Sequence, residues 1–395
     1  MKRLIKKSHF DNINALRFLA FFGIFFSHCF ITDNQQVEVS SLFTDLRQVT
    51  GNLNSVCYSL LFLLTGFLNT YTIFEERFIY KKMNLLRFYM RRFLGLLPLY
   101  FVVFVLGFFV LPRINTGIPN ENLQFIGAGE YVGFFFNFNY SDTGNPLQGV
   151  LGNMWSIAVS MQFIIFWPVL MSYFRRKEKA LFIIAMLAFI ASAWMWSQND
   201  SFRYSTLNCI CDFVVGAYLA YFSFFKYKLY GFLKQQTQRT IGFIYLAFFV
   251  VLIFRQPLLR EFSSVPPQLL FIVERIVLAL TLAFFVFEQT FNSNSVFKLA
   301  KLKIFNYPGK LAYSMYAYHA IGIIVGYRIM QFSVSEQTAT SVLVLEPIVA
   351  FAVTFALAIF STEYFEKKFT RRIKNYNPTR EYNPVGITDA KTKPA

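Results

Sequence analysis

Apolar stretches of about twenty residues recur along this 395-residue chain, separated by short polar connections. Ten are long enough to cross the hydrocarbon core of a bilayer: 14–32, 54–73, 93–112, 151–173, 180–197, 206–225, 239–255, 267–288, 309–331 and 343–363. Helix is the open-ended structure that satisfies its own backbone in lipid, so the pattern predicts an all-α polytopic bundle of about ten transmembrane helices. It forms one membrane domain, residues 1–370. A polar, proline-containing tail, 371–395, is predicted to be disordered.

The first segment departs from a plain apolar span. NALRFLAFFGIFFSH, Asn14–His28, carries an arginine near its start and a histidine at its end. At about 100° per residue, the eleven-residue step from Arg17 to His28 returns to the same face, about 16 Å further along the axis. Charges inside a bilayer face a cavity or a partner. The spacing therefore predicts a continuous polar passage through the bundle, with Arg17 at its inner gate and His28 deeper along it.

Charge gives the orientation. Thirty of the 38 Lys and Arg fall on one side: the N-terminal head, the connections 75–92, 175–179, 226–239 and 298–310, and the tail. Five fall on the other side and three, Arg17, Arg275 and Arg328, inside spans. This asymmetry predicts that both termini are cytoplasmic. It also accounts for the net charge of +17 without nucleic acid as a partner. Composition agrees with a membrane protein: 55% hydrophobic, 20% aromatic, 15% charged. The longest connection on the far side, 113–150, is rich in Gly, Asn and aromatics and is predicted to form a partly packed interfacial lid.

Several polar residues within the spans could carry chemistry. His28, and His319 in SMYAYHA, can each accept a proton near neutral pH or serve as a hydrogen-bonded structural group. Arg17 is either a snorkelling anchor or a clamp for an anionic ligand. Glu274 and Arg275 point different ways on one helix, so each needs a separate partner, and Glu274 could orient a histidine or belong to a structural ion pair. Ser156, Ser160 and Gln162, at the start of the fourth segment, are hydrogen-bonding groups that can serve helix packing alone. Nucleophile elbows, metal-ligand clusters, Walker loops and dinucleotide fingerprints are lacking, and no metal is expected.

Taken together, these stretches resemble the membrane acyltransferase-3 family. The arginine-to-histidine spacing in LRFLAFFGIFFSH is similar to that family's signature. FLLTGFL at Phe62–Leu68, RFYMRRFLGLLPLY at Arg87–Tyr100 and MWSIAVSMQFIIFWP at Met154–Pro168 resemble further motifs in the expected order. FVVGAYLAY at Phe213–Tyr221, LAYSMYAYHA at Leu311–Ala320 and YFEKKF at Tyr364–Phe369 complete the likeness. Three positions depart: Ser160 where a glutamate is frequent, Gly95 in place of the last arginine of the RRxxR stretch, and Asn14 in place of an aspartate.

The resemblance implies an integral membrane O-acyltransferase, most often an O-acetyltransferase. It would move an acyl group from cytoplasmic acetyl-CoA or another acyl-CoA to a hydroxyl of an extracytoplasmic or lipid-linked glycan, in a bacterial inner membrane. By that likeness Arg17, Arg91 and Arg92 bind the donor. His28 is the base or the acyl acceptor, and Ser156, Gln162 or His319 donates to the oxyanion. With Ser160 in place of glutamate, the orienting role would pass to another group such as Glu274. Expected partners are the glycan acceptor, acyl-CoA and membrane lipids, with a homo-oligomer left open. The alternatives are a flippase or transporter of lipid-linked glycans, and a degenerate family member acting as a partner.

Overall fold

The computed structural model describes residues 7–32, 34–113, 127–138, 149–225, 231, 236–261, 264–292, 295, 297–333 and 337–373. Among them every regular element is a helix. Ten long helices coincide with the ten apolar segments: α1 (Lys7–His28), α2 (Ser41–Tyr80), α3 (Leu85–Val105), α4 (Trp155–Tyr173), α5 (Glu178–Trp196), α6 (Thr206–Phe225), α7 (Gln238–Glu261), α8 (Pro267–Phe291), α9 (Ala312–Ser333) and α10 (Glu346–Phe360). Among the described residues, seven helical stretches are apolar and long enough to cross a membrane: α2, α3, α4, α5, α6, α8, and α10 taken together with its flanking turns (Ser341–Arg372); α1, α7 and α9 are not among these seven. Two of those three, α1 and α9, carry the histidines.

Helix α2 runs well past the expected 54–73. Its 40 residues extend about 60 Å, twice the hydrocarbon thickness. Ser40 caps it by accepting from the Phe43 N–H, and Lys81 ends it in a left-handed conformation, φ 61°. Asn84 then caps α3 through the Arg87 N–H. The basic connection expected over 75–92 is thus largely two helix ends and one tight turn. That places Arg91 and Arg92 on a helix wall, not in a loop.

Small residues set the closest crossings. A Cβ added to Gly66 of α2 would come within 2.1 Å of the Phe213 carbonyl on α6, and one added to Gly216 of α6 within 2.1 Å of the Leu63 carbonyl. Each glycine admits the other helix's backbone. The α9–α10 pair repeats the device, with Gly322 against Thr354 and Gly326 against Ala350. At the basic end, Gly309 of the short helix Lys303–Lys310 meets the Asn14 carbonyl of α1.

The described part of the long connection packs as expected over the end opposite the basic one. Tyr131 and Phe136 are buried and Tyr100 donates to the Tyr131 carbonyl at 2.7 Å. The segments 114–126 and 139–148 lie outside the described residues. The tail departs slightly from expectation, since helix continues from Lys367 to Ile373 across the expected boundary at 370. Residues 374–395 lie outside the described residues.

Candidate functional site

A cavity of about 420 Å³ opens among α1, α2, α3, α4 and α9. Toward the basic end of the bundle its wall carries Arg17, Arg91, Arg92, Lys310 and Lys367. Glu366 is the one carboxylate among the described lining residues. It is occupied by hydroxyls: Ser314 and Ser361 each donate to it at 2.8 Å.

The cations differ in how they are satisfied. Arg91 is paired with the buried Glu76. Lys367 pairs with Glu363 one turn away. Among the described residues, Arg92 hydrogen-bonds the Leu68 carbonyl at 3.4 Å and the Thr72 hydroxyl at 3.3 Å, with its guanidinium over the Phe88 ring. Among the described residues, the Arg17 guanidinium hydrogen-bonds the Asn14 side chain alone, at 3.4 Å. Neither Arg17, Arg92 nor Lys310 has a carboxylate partner among the described residues. Burying a guanidinium without an anion is costly unless a ligand supplies one.

The deeper end of the cavity is aromatic and hydroxylic: Phe21, Phe62, Tyr316, Ser156 and Ser160. The Tyr316 hydroxyl donates to the Asn153 carbonyl at 2.7 Å, so the Ser156 hydroxyl, 2.6 Å away, donates to Tyr316. Ser160 lines the wall with no hydrogen bond to a described residue.

The two membrane histidines meet just behind this wall. His28 Nδ1 lies 3.2 Å from His319 Nε2, with the rings nearly parallel at 18°. The His319 ring centroid is 5.3 Å from that of Tyr316 and 6.4 Å from that of Phe21. Both histidines are buried, His28 at 8% and His319 at 1% exposed. Arg17 is thus in the cavity, whereas His28 and His319 are not among its lining residues. The continuous passage expected from Arg17 to His28 is closed here by one layer of rings, Phe21 and Tyr316.

Other sequence expectations are redistributed. Glu274 hydrogen-bonds neither imidazole, whose partners are each other and the Tyr316 carbonyl. It lies instead within electrostatic range of Arg275. Arg275 is tied to Asp212 of α6 and to Ser59 of α2, at 2.9 Å from the latter. Gln162 is spent on the fold. Its amide nitrogen donates to the Phe134 carbonyl at 2.5 Å and to Asn137 at 2.8 Å, and its oxygen accepts from Thr206. It therefore pins the packed connection and has no group left for an oxyanion. Ser156, in the cavity wall, has its hydrogen directed to Tyr316. Tyr316, Lys310, Glu76 and Asp212 are not among the residues that the sequence singles out. Asp212 had a usable signal, a lone acid within the apolar run CICDFVVGA. Tyr316 had only its position one turn before His319.

A family model described as an acyltransferase domain, Acyl_transf_3, matches residues 10–363. The chain belongs to the acyltransferase-3 family. The matched region of this acyltransferase-family protein takes in α2 to α10 whole and α1 from Phe10, with every group named in the cavity except Glu366 and Lys367. Over 143 residues the chain is 27% identical to the peptidoglycan O-acetyltransferase OatA of Listeria monocytogenes, across 34% of this chain and 23% of that protein. The match thus spans about a quarter of the relative's length. No solved structure gives a match.

Proposed function

We propose that this integral membrane protein is an O-acyltransferase, most simply an O-acetyltransferase. It carries an acyl group from cytoplasmic acyl-CoA to a hydroxyl of an extracytoplasmic or lipid-linked glycan, in a bacterial inner membrane. One observation carries the reading: a cavity whose basic end holds Arg17, Arg92 and Lys310 with no carboxylate partner among the described residues, and whose far wall backs onto the His28–His319 pair. Family membership and the stretch similar to a peptidoglycan O-acetyltransferase support it.

The chemistry follows from the placement. Arginine matches phosphate geometry, and Arg17, Arg92 and Lys310 would receive the phosphates of a CoA donor. The thioester then points toward Phe21 and Tyr316. With His28 as general base, the acceptor oxygen loses its proton to the imidazole and attacks the thioester carbonyl. The C–S bond breaks and the departing thiolate takes that proton back. An acyl-histidine route, in which the imidazole attacks first, uses the same contacts. Either route requires the Phe21–Tyr316 layer to move, because it separates the cavity from His28. Ser160, on the wall and with no hydrogen bond to a described residue, is better placed to donate to the oxyanion than Gln162.

The test is acyl-CoA consumption by purified protein in liposomes, with mass spectrometry of envelope glycans from cells with and without the gene. His28→Ala is expected to reach the membrane in normal amount and transfer no acyl group. Wild-type protein that moves an unmodified glycan across the bilayer and consumes no acyl-CoA would establish a transporter instead.

A further inference from the structure

We infer that His319 is a positioning residue: it holds His28 in the tautomer whose hydrogen is on Nδ1, leaving Nε2 bare to take the acceptor's proton. The last step rests on the acyl-transfer reading above. The tautomer rests on contacts alone.

The contacts form a directed chain. His319 Nδ1 lies 2.5 Å from the carbonyl oxygen of Tyr316, one helical turn back on α9. A carbonyl oxygen only accepts, so this nitrogen carries a hydrogen. In a neutral imidazole the other nitrogen is then bare. That nitrogen, His319 Nε2, faces His28 Nδ1 at 3.2 Å, so His28 Nδ1 must donate. The hydrogen of neutral His28 is thereby used, and Nε2 is its lone pair.

The opposite arrangement needs a doubly protonated His319. It would donate from Nε2 and oblige His28 to carry its hydrogen on Nε2, where no proton could be accepted. That puts a cation at a site 1% exposed, against Phe21 and Tyr316, with no carboxylate among the described residues hydrogen-bonded to either ring. Burial of an unpaired charge disfavours it.

A second imidazole thus performs the orienting that neither Ser160 nor Glu274 performs in this protein. During transfer the acceptor's O–H bond breaks and its proton joins His28 Nε2. The His28 Nδ1–H bond to His319 persists and strengthens as His28 becomes cationic. When the thiolate leaves and recovers the proton from Nε2, both rings return to their starting tautomers.

The chain has three histidines, so the test is direct. In protein labelled with ¹⁵N-histidine, carrying His9→Gln and held in bilayers, nitrogen NMR should show two neutral rings, each with Nδ1 protonated and Nε2 bare. His319→Phe should move the His28 hydrogen toward Nε2 and lower kcat by about 100-fold or more, with KM for acyl-CoA little changed. His319→Gln, whose amide oxygen can stand near the Nε2 position, should recover most of that loss and keep His28 protonated on Nδ1. A wild-type spectrum with His28 protonated on Nε2, or a His28 signal unchanged by His319→Phe, overturns the inference. Should His319→Phe fail to fold, the wild-type spectrum and the Gln variant still decide it. Correct tautomers in a protein that transfers no acyl group would instead remove the acyl-transfer reading and leave the positioning contact standing.

Discussion

Arg91 and Arg92 are neighbours of the same type, yet their surroundings divide them. One residue is a 100° turn on a helix, enough to give Arg91 the Glu76 carboxylate and Arg92 only weak contacts beside the cavity. Arg91→Ala would leave Glu76, 1% exposed, without its counter-ion. A loss of about 3–5 kcal/mol of stability is expected, read as a lower Tm in detergent, with Glu76→Gln in the same chain restoring part of it. Arg92→Ala removes no ion pair among the described residues. It should keep its Tm and raise KM for acyl-CoA by about tenfold or more, the worth of a charge-assisted hydrogen bond. The family likeness assigns both to the donor, because a motif shows the charge and not the partner.

At the level of elements, positions of helices follow from the apolar runs, whereas their separations follow from glycine. Gly66 lies in FLLTGFL and Gly216 in FVVGAYLAY, and nothing in either run says that the two meet. With carbonyl oxygens 2.1 Å from where a Cβ would stand, Gly66→Leu cannot be absorbed by a rotamer change. It must part α2 from α6, and with them Ser59 and Asp212 from Arg275. The expected result is little or no folded protein by size-exclusion chromatography, while Gly51→Ala, whose Cβ meets nothing within 4 Å, behaves as wild type. The span lengths were less legible. Helix α2 overruns its expected end because helix propensity and caps, not hydropathy, decide where a helix stops once it leaves lipid.

For the whole molecule, the basic connections predict an orientation with both termini in the cytoplasm. Reporter fusions at residue 395 and within residues 127–138 test it: a reporter active only in the cytoplasm should work at the first site and fail at the second. The reverse would turn the cavity outward and exclude a cytoplasmic donor. What the sequence by itself determined was the class of molecule, the places of ten helices, the family likeness and the candidates Arg17, His28 and His319. Hydropathy, positive charge and the eleven-residue spacing are local properties, written along the chain. What only the tertiary structure decided was pairing: His28 with His319, Arg275 with Asp212, Gln162 with the packed connection, and the layer of Phe21 and Tyr316 between cavity and histidines. These contacts join residues far apart in the chain. They depend on how closely helices approach and on which face each turns inward, which a single sequence does not record.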